Sequence, residues 1–292
     1  MTPPEMSPIT ADVIERLQAT PDPRMRTLMT ALTRHLHAFA SETQLTEDEW
    51  FEAIRFLTAV GQKCDDRRQE FILLSDVLGL SMFVNDQNNA KPPGCTEPTV
   101  FGPFHTDDAP HFELGADVAG GAAGEPCWVQ GRILGLDGAP VPHAVIDVWQ
   151  ADAEGFYDVQ RPDLAVPQAR GVLKADADGG YRFWTIVAEA YPVPTDGPVG
   201  RLLEATGRHP WRPAHLHFMI TAPGYERLIT HVFRRGGLYL ESDAVFGVRP
   251  SLIADWLPHA PGIAPDGSRR DARYWTLDFD FILNPVAVSA AA

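Results

Sequence analysis

Cysteine is scarce in this 292-residue sequence, which contains only Cys64, Cys95 and Cys127 and no Cys-x-x-Cys pair. An odd, widely spaced set of three excludes a disulfide-stapled scaffold, and it argues against a cysteine-based zinc site. Such usage is typical of thiols in a reducing compartment. We therefore expect a cytoplasmic protein.

Long hydrophobic runs and an excess of positive charge are also missing. No stretch approaches the roughly 20 apolar residues of a membrane span, and Met1 to Thr20 shows no signal peptide. Lys and Arg number 24 against 39 Asp and Glu, which gives a formal net charge of −15. Because nucleic-acid binding needs clustered cations, we expect no nucleic-acid partner. The hydrophobic content of 45% is ordinary for a globular protein.

Helical periodicity dominates the first part of the chain. Apolar residues recur at steps of three and four from Met25 to Phe39, and again from Trp50 to Val60. Thr46 and Glu49 have the spacing of a capping box in front of the second stripe. We predict an N-terminal helical domain at residues 1–84, whose apolar stripes pack into a core or an oligomer interface.

The pattern then changes twice. Residues 85–126 are irregular and rich in Pro, Asn and Gly, which predicts a linker that lines a site. From residue 127 short period-two segments alternate with Gly, Pro and Asp turns, so we predict an antiparallel β-sandwich at residues 127–292 with a frayed tail from Pro285. The expected fold class is α+β, a helical N-terminal domain followed by a catalytic β-sandwich.

A His-x-His pair, His215 and His217, lies in one of the predicted strands. Alternation along a strand points both imidazoles to the same face, which suits a metal ion. The pair alone is a weak indication. Two tyrosines have unusual settings, since Tyr157 follows a Glu-Gly-Phe run and Tyr191 precedes two prolines. Taken singly, each tyrosine is more often a buried ring with a satisfied hydroxyl.

Three motifs give these residues a joint meaning. They are Asp-Val-Trp-Gln at 147–150 with Gly-Phe-Tyr at 155–157, Tyr-Pro-Val-Pro at 191–194, and Arg-Pro-Ala-His-Leu-His-Phe at 212–218. With them the chain resembles the intradiol ring-cleaving dioxygenases of the catechol 1,2-dioxygenase type over nearly its whole length. Within that family it is most similar to the hydroxyquinol 1,2-dioxygenases, through the segments at 73–82, 100–104 and 240–248.

The resemblance implies one Fe(III) per subunit, held by Tyr157, Tyr191, His215 and His217. It also implies that Tyr191 accepts a proton and that Arg212 stabilises charge on the reacting ring. The substrates would be an aromatic diol and O2, and hydroxyquinol would give 3-hydroxy-cis,cis-muconate and then maleylacetate. The expected substrate-pocket residues are Leu73, Asp76, Val100, Phe101, Gly102, Pro103, Phe104, Val193, Pro194, Arg212 and His231.

Some of these expectations separate neighbouring members of the family. Asp76 is the residue we expect to accept a hydrogen bond from the third hydroxyl of hydroxyquinol, because such an acceptor rewards a substrate donor. His231 stands where catechol-type members usually carry Gln, which favours hydroxyquinol over catechol. The family also implies a homodimer through the N-terminal helices, with an apolar tunnel that can hold lipid.

Three alternatives stay open at this point. The same reaction could act on catechol or a chlorocatechol. A β-sandwich binding module without catalytic activity would contain no iron, but it leaves the two tyrosines and two histidines without a shared purpose. A metal-dependent hydrolase could use the histidine pair, although no carboxylate ligand is evident beside it.

Overall fold

The computed structural model describes residues 7–66, 68–161 and 163–286. The chain divides into two compact units, one ending at Gln62 and the other beginning at Lys63. The domain boundaries expected at residues 84 and 126 stay predictions. The predicted tail lies outside the described residues from position 287 onward.

The first unit is built from three helices, α1 (Pro8–Leu17), α2 (Pro23–Thr43) and α3 (Glu47–Lys63, ending one residue beyond the unit). The predicted capping box is confirmed, because Glu49 N donates to Thr46 Oγ1 at 3.3 Å and Thr46 N donates to Glu49 Oε2 at 2.9 Å. These bonds satisfy backbone donors that a helix start would leave unpaired.

The predicted apolar stripes of α2 and α3 are present but remain open to solvent in the single chain. Leu32 is 49% exposed, Phe39 54% and Trp50 50%. Val60, by contrast, is fully buried. Contiguous exposed apolar surface of this kind is typical of an interaction site.

The second unit contains the helices α4 (Glu70–Val77), α5 (Leu80–Asn89) and α6 (Pro198–Ala205). The irregular segment expected from residue 85 therefore begins only after Asn89. Helix α6 was not predicted. Its first turn receives the buried carboxylate of Glu70, whose Oε1 accepts from Val199 N at 3.1 Å, as favoured at a helix N-terminus.

The described residues of the second unit also contain fourteen strands. They are β1 (Pro126–Gly135), β2 (Val145–Trp149), β3 (Arg170–Lys174), β4 (Gly180–Ile186), β5 (Tyr191–Pro192), β6 (Trp211–Arg212), β7 (His215–Thr221), β8 (Leu228–Arg234), β9 (Ile253–Ala254), β10 (Trp256–His259), β11 (Gly262–Ile263), β12 (Arg269–Arg270), β13 (Tyr274–Asp278) and β14 (Phe281–Leu283).

Two five-stranded sheets form the sandwich. One has the order β10-β13-β1-β14 with β4 also paired to β1, and the other has the order β3-β2-β7-β8-β9. The expected sandwich is confirmed, but its sheets are mixed, not purely antiparallel. Strand β1 pairs in parallel with both β13 and β14, and β8 pairs in parallel with β9. Long connections separate these partners, which allows parallel pairing.

The core lies between the two sheets. Val129 and Phe183 from the first sheet and Ile146, Leu216 and Phe218 from the second belong to one buried apolar cluster. Because alternate residues face opposite sides of a strand, burying Leu216 and Phe218 in the core turns His215 and His217 to the outer face of the second sheet. No helix among the described residues is long and apolar enough to cross a membrane.

Candidate metal and substrate site

The two histidines of β7 converge as the alternation predicts. Their Nε2 atoms lie 3.1 Å apart, and both residues are buried. His215 Nδ1 lies 2.7 Å from the carbonyl oxygen of Pro213. A carbonyl can only accept, so Nδ1 carries the proton and Nε2 presents its lone pair to the site.

A row of rings crosses the outer face of the second sheet. Trp149, His217 and His231 are cross-strand partners on β2, β7 and β8. Trp149 stacks on His217 with a centroid distance of 4.7 Å, and His231 meets His217 edge-on at 4.2 Å. Within the described residues, neither ring nitrogen of buried His231 has a hydrogen-bond partner, and one of them lies within 4.8 Å of a ring nitrogen of His215 and of His217.

Tyr157 reaches the site from the turn after β2. That turn is held by Asp152, whose Oδ1 accepts from Glu154 N and Phe156 N at 2.9 and 3.0 Å. Tyr157 Oη lies 2.9 Å from His217 Nε2 and 3.4 Å from the Oη of Tyr191. The four side chains expected to bind metal are therefore brought together by the fold.

Tyr191 is placed by a two-stranded pairing. Strand β5 pairs with β6, with Tyr191 opposite Arg212 in register. Gly155, at φ +84°, packs so closely that a Cβ there would lie 2.9 Å from Tyr191 Cβ. A larger residue at 155 would be strained in its backbone and would push against the tyrosine.

Arg212 supplies a fixed positive charge beside the four donor atoms. Its Nη1 donates to Tyr191 Oη at 3.3 Å and lies 3.4 Å from His215 Nε2. Asp243 accepts from Arg212 Nε at 3.1 Å and from Nη2 at 3.4 Å. Asp243 also accepts from the backbone N–H groups of Val245 and Gly247. The guanidinium is thus held in one orientation by a buried carboxylate.

Burial and charge keep the imidazoles neutral. Burial, and then the charge of Arg212, lower the pKa of His215 to about 3. Burial, followed by neighbouring cationic groups, also lowers the pKa of His217 and of His231 well below the ordinary value. Neutral imidazoles are the form that binds metal, so no proton has to be removed from them at neutral pH.

Burial has the opposite effect on the phenol of Tyr157. It raises the pKa of Tyr157 well above the ordinary value, and the proximity of Tyr191 raises it further, while Arg212 and Arg170 oppose that shift. Despite burial, Asp243 holds the pKa of Arg212 above its ordinary value, and Arg212 holds that of Asp243 below it. The ion pair is therefore charged throughout the neutral range.

The segment Phe101–Thr106, which we call the cover segment, lies against this cluster. Phe104 stacks on Tyr157 at 4.3 Å, and Phe101 meets Trp149 edge-on at 5.8 Å. Gly102, at φ +75°, lies so close to His217 that a Cβ would be 3.3 Å from its Cε1. The structure thus brings three of the expected pocket residues onto the site.

The remaining expected pocket residues differ in exposure. Val193 is buried, Leu73, Val100 and Pro194 are half-buried, and Pro103 is exposed. Asp76 is partly buried, which raises the pKa of its carboxyl against the effects of Ser81 and Arg212. Asp76 is therefore within electrostatic reach of Arg212. Their roles in binding a substrate stay predictions.

Sequence reasoning missed several residues that build the site. Asp243 lies within a quoted motif, but nothing local in the sequence pairs it with Arg212. Arg170 and Asp158 form a second buried ion pair next to Tyr157. Such pairs depend on long-range strand pairing, which local patterns do not report. Strand β3 reads Arg-Gly-Val-Leu-Lys, with a charged residue at each end, so nothing local singles out Arg170.

The donor set fits a metal ion. Two imidazole nitrogens and two phenol oxygens converge in a buried place, and the ring nitrogens of His215, His217 and His231 lie within 4.8 Å of one another. Mixed nitrogen and oxygen donors are a set that transition-metal ions accept. Buried polar atoms without a hydrogen-bond partner are rare, and His217 Nδ1 and both ring nitrogens of His231 are among those in the described residues.

Comparison with known proteins gives this geometry a family. Residues 100–285 match the family described as "Dioxygenase", and residues 22–96 match "Catechol dioxygenase N terminus". The chain is 64% identical over 277 residues to the 6-chlorohydroxyquinol 1,2-dioxygenase of Cupriavidus pinatubonensis, covering 95% of this chain and 96% of that protein. It is 53% identical over 276 residues to the hydroxyquinol 1,2-dioxygenase of Rhodococcus opacus, covering 94% and 92%.

A solved structure agrees with these relatives. The hydroxyquinol 1,2-dioxygenase of Pseudomonas putida superposes with a TM-score of 0.91 at 46% identity, covering 95% of this chain and 98% of that one. The likeness therefore extends across both the helical and the β-rich parts of the chain.

Proposed function

The chain belongs to the intradiol ring-cleavage dioxygenase family, and we propose that its substrate is hydroxyquinol, benzene-1,2,4-triol. Both atoms of O2 enter the product, and the ring opens between the two adjacent hydroxylated carbons. The product is 3-hydroxy-cis,cis-muconate, which tautomerises to maleylacetate. The observation that carries this proposal is the convergence of two tyrosine oxygens and two histidine nitrogens in one buried cluster.

One Fe(III) per subunit would be held by Tyr157, Tyr191, His215 and His217. Phenolates are hard, anionic donors, and only a strongly Lewis-acidic ion makes them available at neutral pH from buried tyrosines. When bound, the ferric ion would activate a chelated diol toward O2. His231, whose ring lies 4.2 Å from that of His217, stays assigned to the substrate side of the site.

The protein side of the chemistry rests on Tyr191 and Arg212. Tyr191 Oη is the atom we assign to take a proton from an incoming diol, and it accepts a hydrogen bond from Arg212 Nη1 at 3.3 Å. Once Tyr191 is neutral, the same guanidinium is free to stabilise negative charge on the substrate ring. The ion pair to Asp243 keeps that charge in place throughout.

Substrate choice depends on the residues that line the pocket, and we propose that Asp76 accepts a hydrogen bond from the third hydroxyl. The predicted lining residues are Leu73, Asp76, Val100, Phe101, Gly102, Pro103, Phe104, Val193, Pro194, Arg212 and His231. Relatives named for hydroxyquinol support this substrate. The relative named for 6-chlorohydroxyquinol supports a second candidate, a hydroxyquinol carrying chlorine, and catechol remains the alternative without the third hydroxyl.

The exposed stripes of α2 and α3 support a homodimer formed through the N-terminal helices. Their large apolar side chains, including Leu32, Leu36 and Trp50, need a covering surface in water. A lipid bound along the same helices would cover part of that surface. The cytoplasmic location predicted from the few cysteines is part of the same proposal.

The visible spectrum of the purified, iron-analysed protein tests the proposed function. We expect a phenolate-to-iron band that shifts to longer wavelength on anaerobic addition of hydroxyquinol, and ring cleavage once O2 is admitted. An iron-containing but colourless protein would mean that Tyr157 and Tyr191 are not ligands. A response to catechol but not to hydroxyquinol would keep the ligand set and overturn the substrate. A protein without iron or activity would support the binding-module alternative.

A further inference from the structure

A second buried ion pair lies beside the site and has no part in the chemistry assigned above. Arg170, on β3, is 3% exposed, and its partner Asp158 directly follows Tyr157 in the chain. Arg170 Nε donates to Asp158 Oδ2 at 2.7 Å, and Nη2 donates to Asp158 Oδ1. This contact is bidentate: two nitrogens of the planar guanidinium bind the two oxygens of one carboxylate, which a lysine ammonium group cannot do.

The remaining donors of Arg170 point to the cover segment. Nη2 donates to the carbonyl oxygen of Phe104 at 3.0 Å, and Nη1 donates to Thr106 Oγ1 at 3.0 Å. One buried side chain therefore binds the residue after Tyr157 and two residues of a segment about fifty positions earlier. Phe104 and Thr106 lie in irregular backbone. Their hydrogen bonds to Arg170 therefore hold this part of the chain in place, as backbone hydrogen bonds hold a strand in a sheet.

The connections close a ring around Tyr157. Phe104 is tied to Arg170 through its carbonyl group and stacks on Tyr157 through its ring, at 4.3 Å and an interplanar angle of 21°. Asp158 is tied to Arg170 and is covalently next to Tyr157. The position of the tyrosine ring and the position of the cover segment are therefore set by the same guanidinium.

We propose that Arg170 is a positioning residue that fixes the cover segment over the site and orients the Tyr157 ring, without touching the substrate itself. The inference rests on the proposed function, because the residues at 101–104 of the cover segment are among those expected to line the substrate pocket. Gly102 and Phe101, in the same segment, reach His217 and Trp149. Releasing the segment would therefore loosen the substrate-binding wall more than the donor atoms.

Arg170→Lys is the variant that tests this. Lysine keeps the positive charge next to Asp158 but cannot hold Asp158, Phe104 and Thr106 together. We expect KM for hydroxyquinol to rise about tenfold and kcat to change by less than about threefold, which is the pattern of lost binding geometry. Iron per subunit should stay that of the parent, and the phenolate-to-iron band should broaden or shift.

Arg182→Lys is the matched control. Arg182 pairs with Asp176 at 3.2 Å, and its side chain is 47% exposed. The same chemical change at this exposed pair should leave KM, kcat and the spectrum as in the parent.

Thr106→Val is a second test variant, with a smaller expected effect than Arg170→Lys. It removes one acceptor and keeps the Arg170–Asp158 pair, so KM should rise by about two- to threefold, and it decides the question if Arg170→Lys does not fold.

Amide hydrogen exchange provides a readout that does not depend on activity. Exchange in the peptides covering residues 101–106 should accelerate in Arg170→Lys and Thr106→Val, and not in Arg182→Lys. Unchanged exchange together with an unchanged KM would overturn the positioning role. A parent protein with no coloured iron and no ring cleavage would instead overturn the proposed function, while faster exchange would still support the anchoring of the segment.

Discussion

Two buried arginine–aspartate pairs flank the donor cluster, and they differ in what the arginine does with its remaining donors. Arg170 and Asp158 have side chains 3% and 8% exposed, and Arg212 and Asp243 have side chains 5% and 2% exposed. The spare donors of Arg170 bind backbone and a threonine of the cover segment. The spare donor of Arg212 contacts Tyr191 Oη and His215 Nε2.

The same chemical pair therefore serves two purposes, and its position in the fold decides which. A buried pair is poor evidence for net stability, because desolvation offsets much of the attraction. In each pair the aspartate holds the arginine guanidinium in one fixed orientation. Around Arg170 that direction determines the shape of the site, whereas around Arg212 it determines where positive charge acts on the reacting groups.

Removing Arg212 should have the largest effect. In Arg212→Ala we expect kcat/KM to fall by about 10²- to 10³-fold, because a preorganised charge beside the reacting atoms is lost. Iron should stay bound, since all four expected ligands remain. Turnover with hydroxyquinol and the iron content per subunit measure the two quantities. Normal turnover in this variant would mean that Arg212 has no direct role in the reaction. The proposed functional difference between Arg212 and Arg170 would then be wrong.

Asp243→Asn tests the partner in the same pair. Val245 N donates to Oδ1 and Gly247 N to Oδ2, so the single amide oxygen of asparagine can keep only one of these two bonds. The amide also no longer balances the charge of Arg212, so the guanidinium is less firmly oriented. We expect kcat to fall by about tenfold, with a smaller change in KM. Asp176→Asn, in the exposed pair with Arg182, is the control and should be silent. A rise in KM alone would mean that the two buried pairs serve the same purpose.

Asp76 provides an intermediate case, because it lies within electrostatic reach of Arg212 without a direct ion pair to it among the described residues. In Asp76→Ala we expect the preference for hydroxyquinol over catechol to fall by about tenfold, through loss of the acceptor for the third hydroxyl. The ratio of kcat/KM values for the two substrates measures it. An unchanged ratio would count against the assignment.

Because His215, His217 and His231 are neutral in the folded protein, we expect the stability of the iron-free protein to depend on pH. The folded pKa of His215 is about 3, and those of His217 and His231 are also lowered. Below the unfolded pKa of about 6.5 the unfolded chain binds more protons, so the free energy of unfolding should fall as pH drops from about 6.5 toward 3. Each histidine contributes at most about 1.4 kcal/mol per pH unit.

His231→Gln should make that dependence shallower by about one histidine's share, because glutamine does not titrate. Urea unfolding of the iron-free protein at pH 7 and pH 5 measures the slope. An equal slope in parent and variant would show that His231 takes up its proton as readily in the folded protein as in the unfolded chain.

Local patterns in the sequence predicted the parts of the site that depend on local rules. Alternation placed His215 and His217 on one face, and the capping box at Thr46 and Glu49 formed as expected. Tyr157 joined them as the family resemblance implied. These features follow from the pleat of a strand, the first turn of a helix and a recognisable motif.

Features set by long-range pairing were not predicted. The run from Tyr274 to Phe281 is two strands, β13 and β14, because Phe279 and Asp280 interrupt the pairing along β1. No local sequence pattern indicates that β13 and β14 run parallel to β1. The partnerships of Arg170 with Phe104 and of Arg212 with Asp243 likewise join residues that only the finished sheets bring together.

The pairing of β1 with β13 and β14 also has a consequence during synthesis of the chain. Cys127 pairs with Trp275, and Ile133 pairs with Phe281. The first sheet therefore cannot be completed until residues up to Leu283 have left the ribosome. Until then β1 has an unpaired apolar edge, which is a natural binding target for chaperones. Ribosome-bound chains that stop before residue 274 should accordingly depend on chaperone protection more than the released protein does.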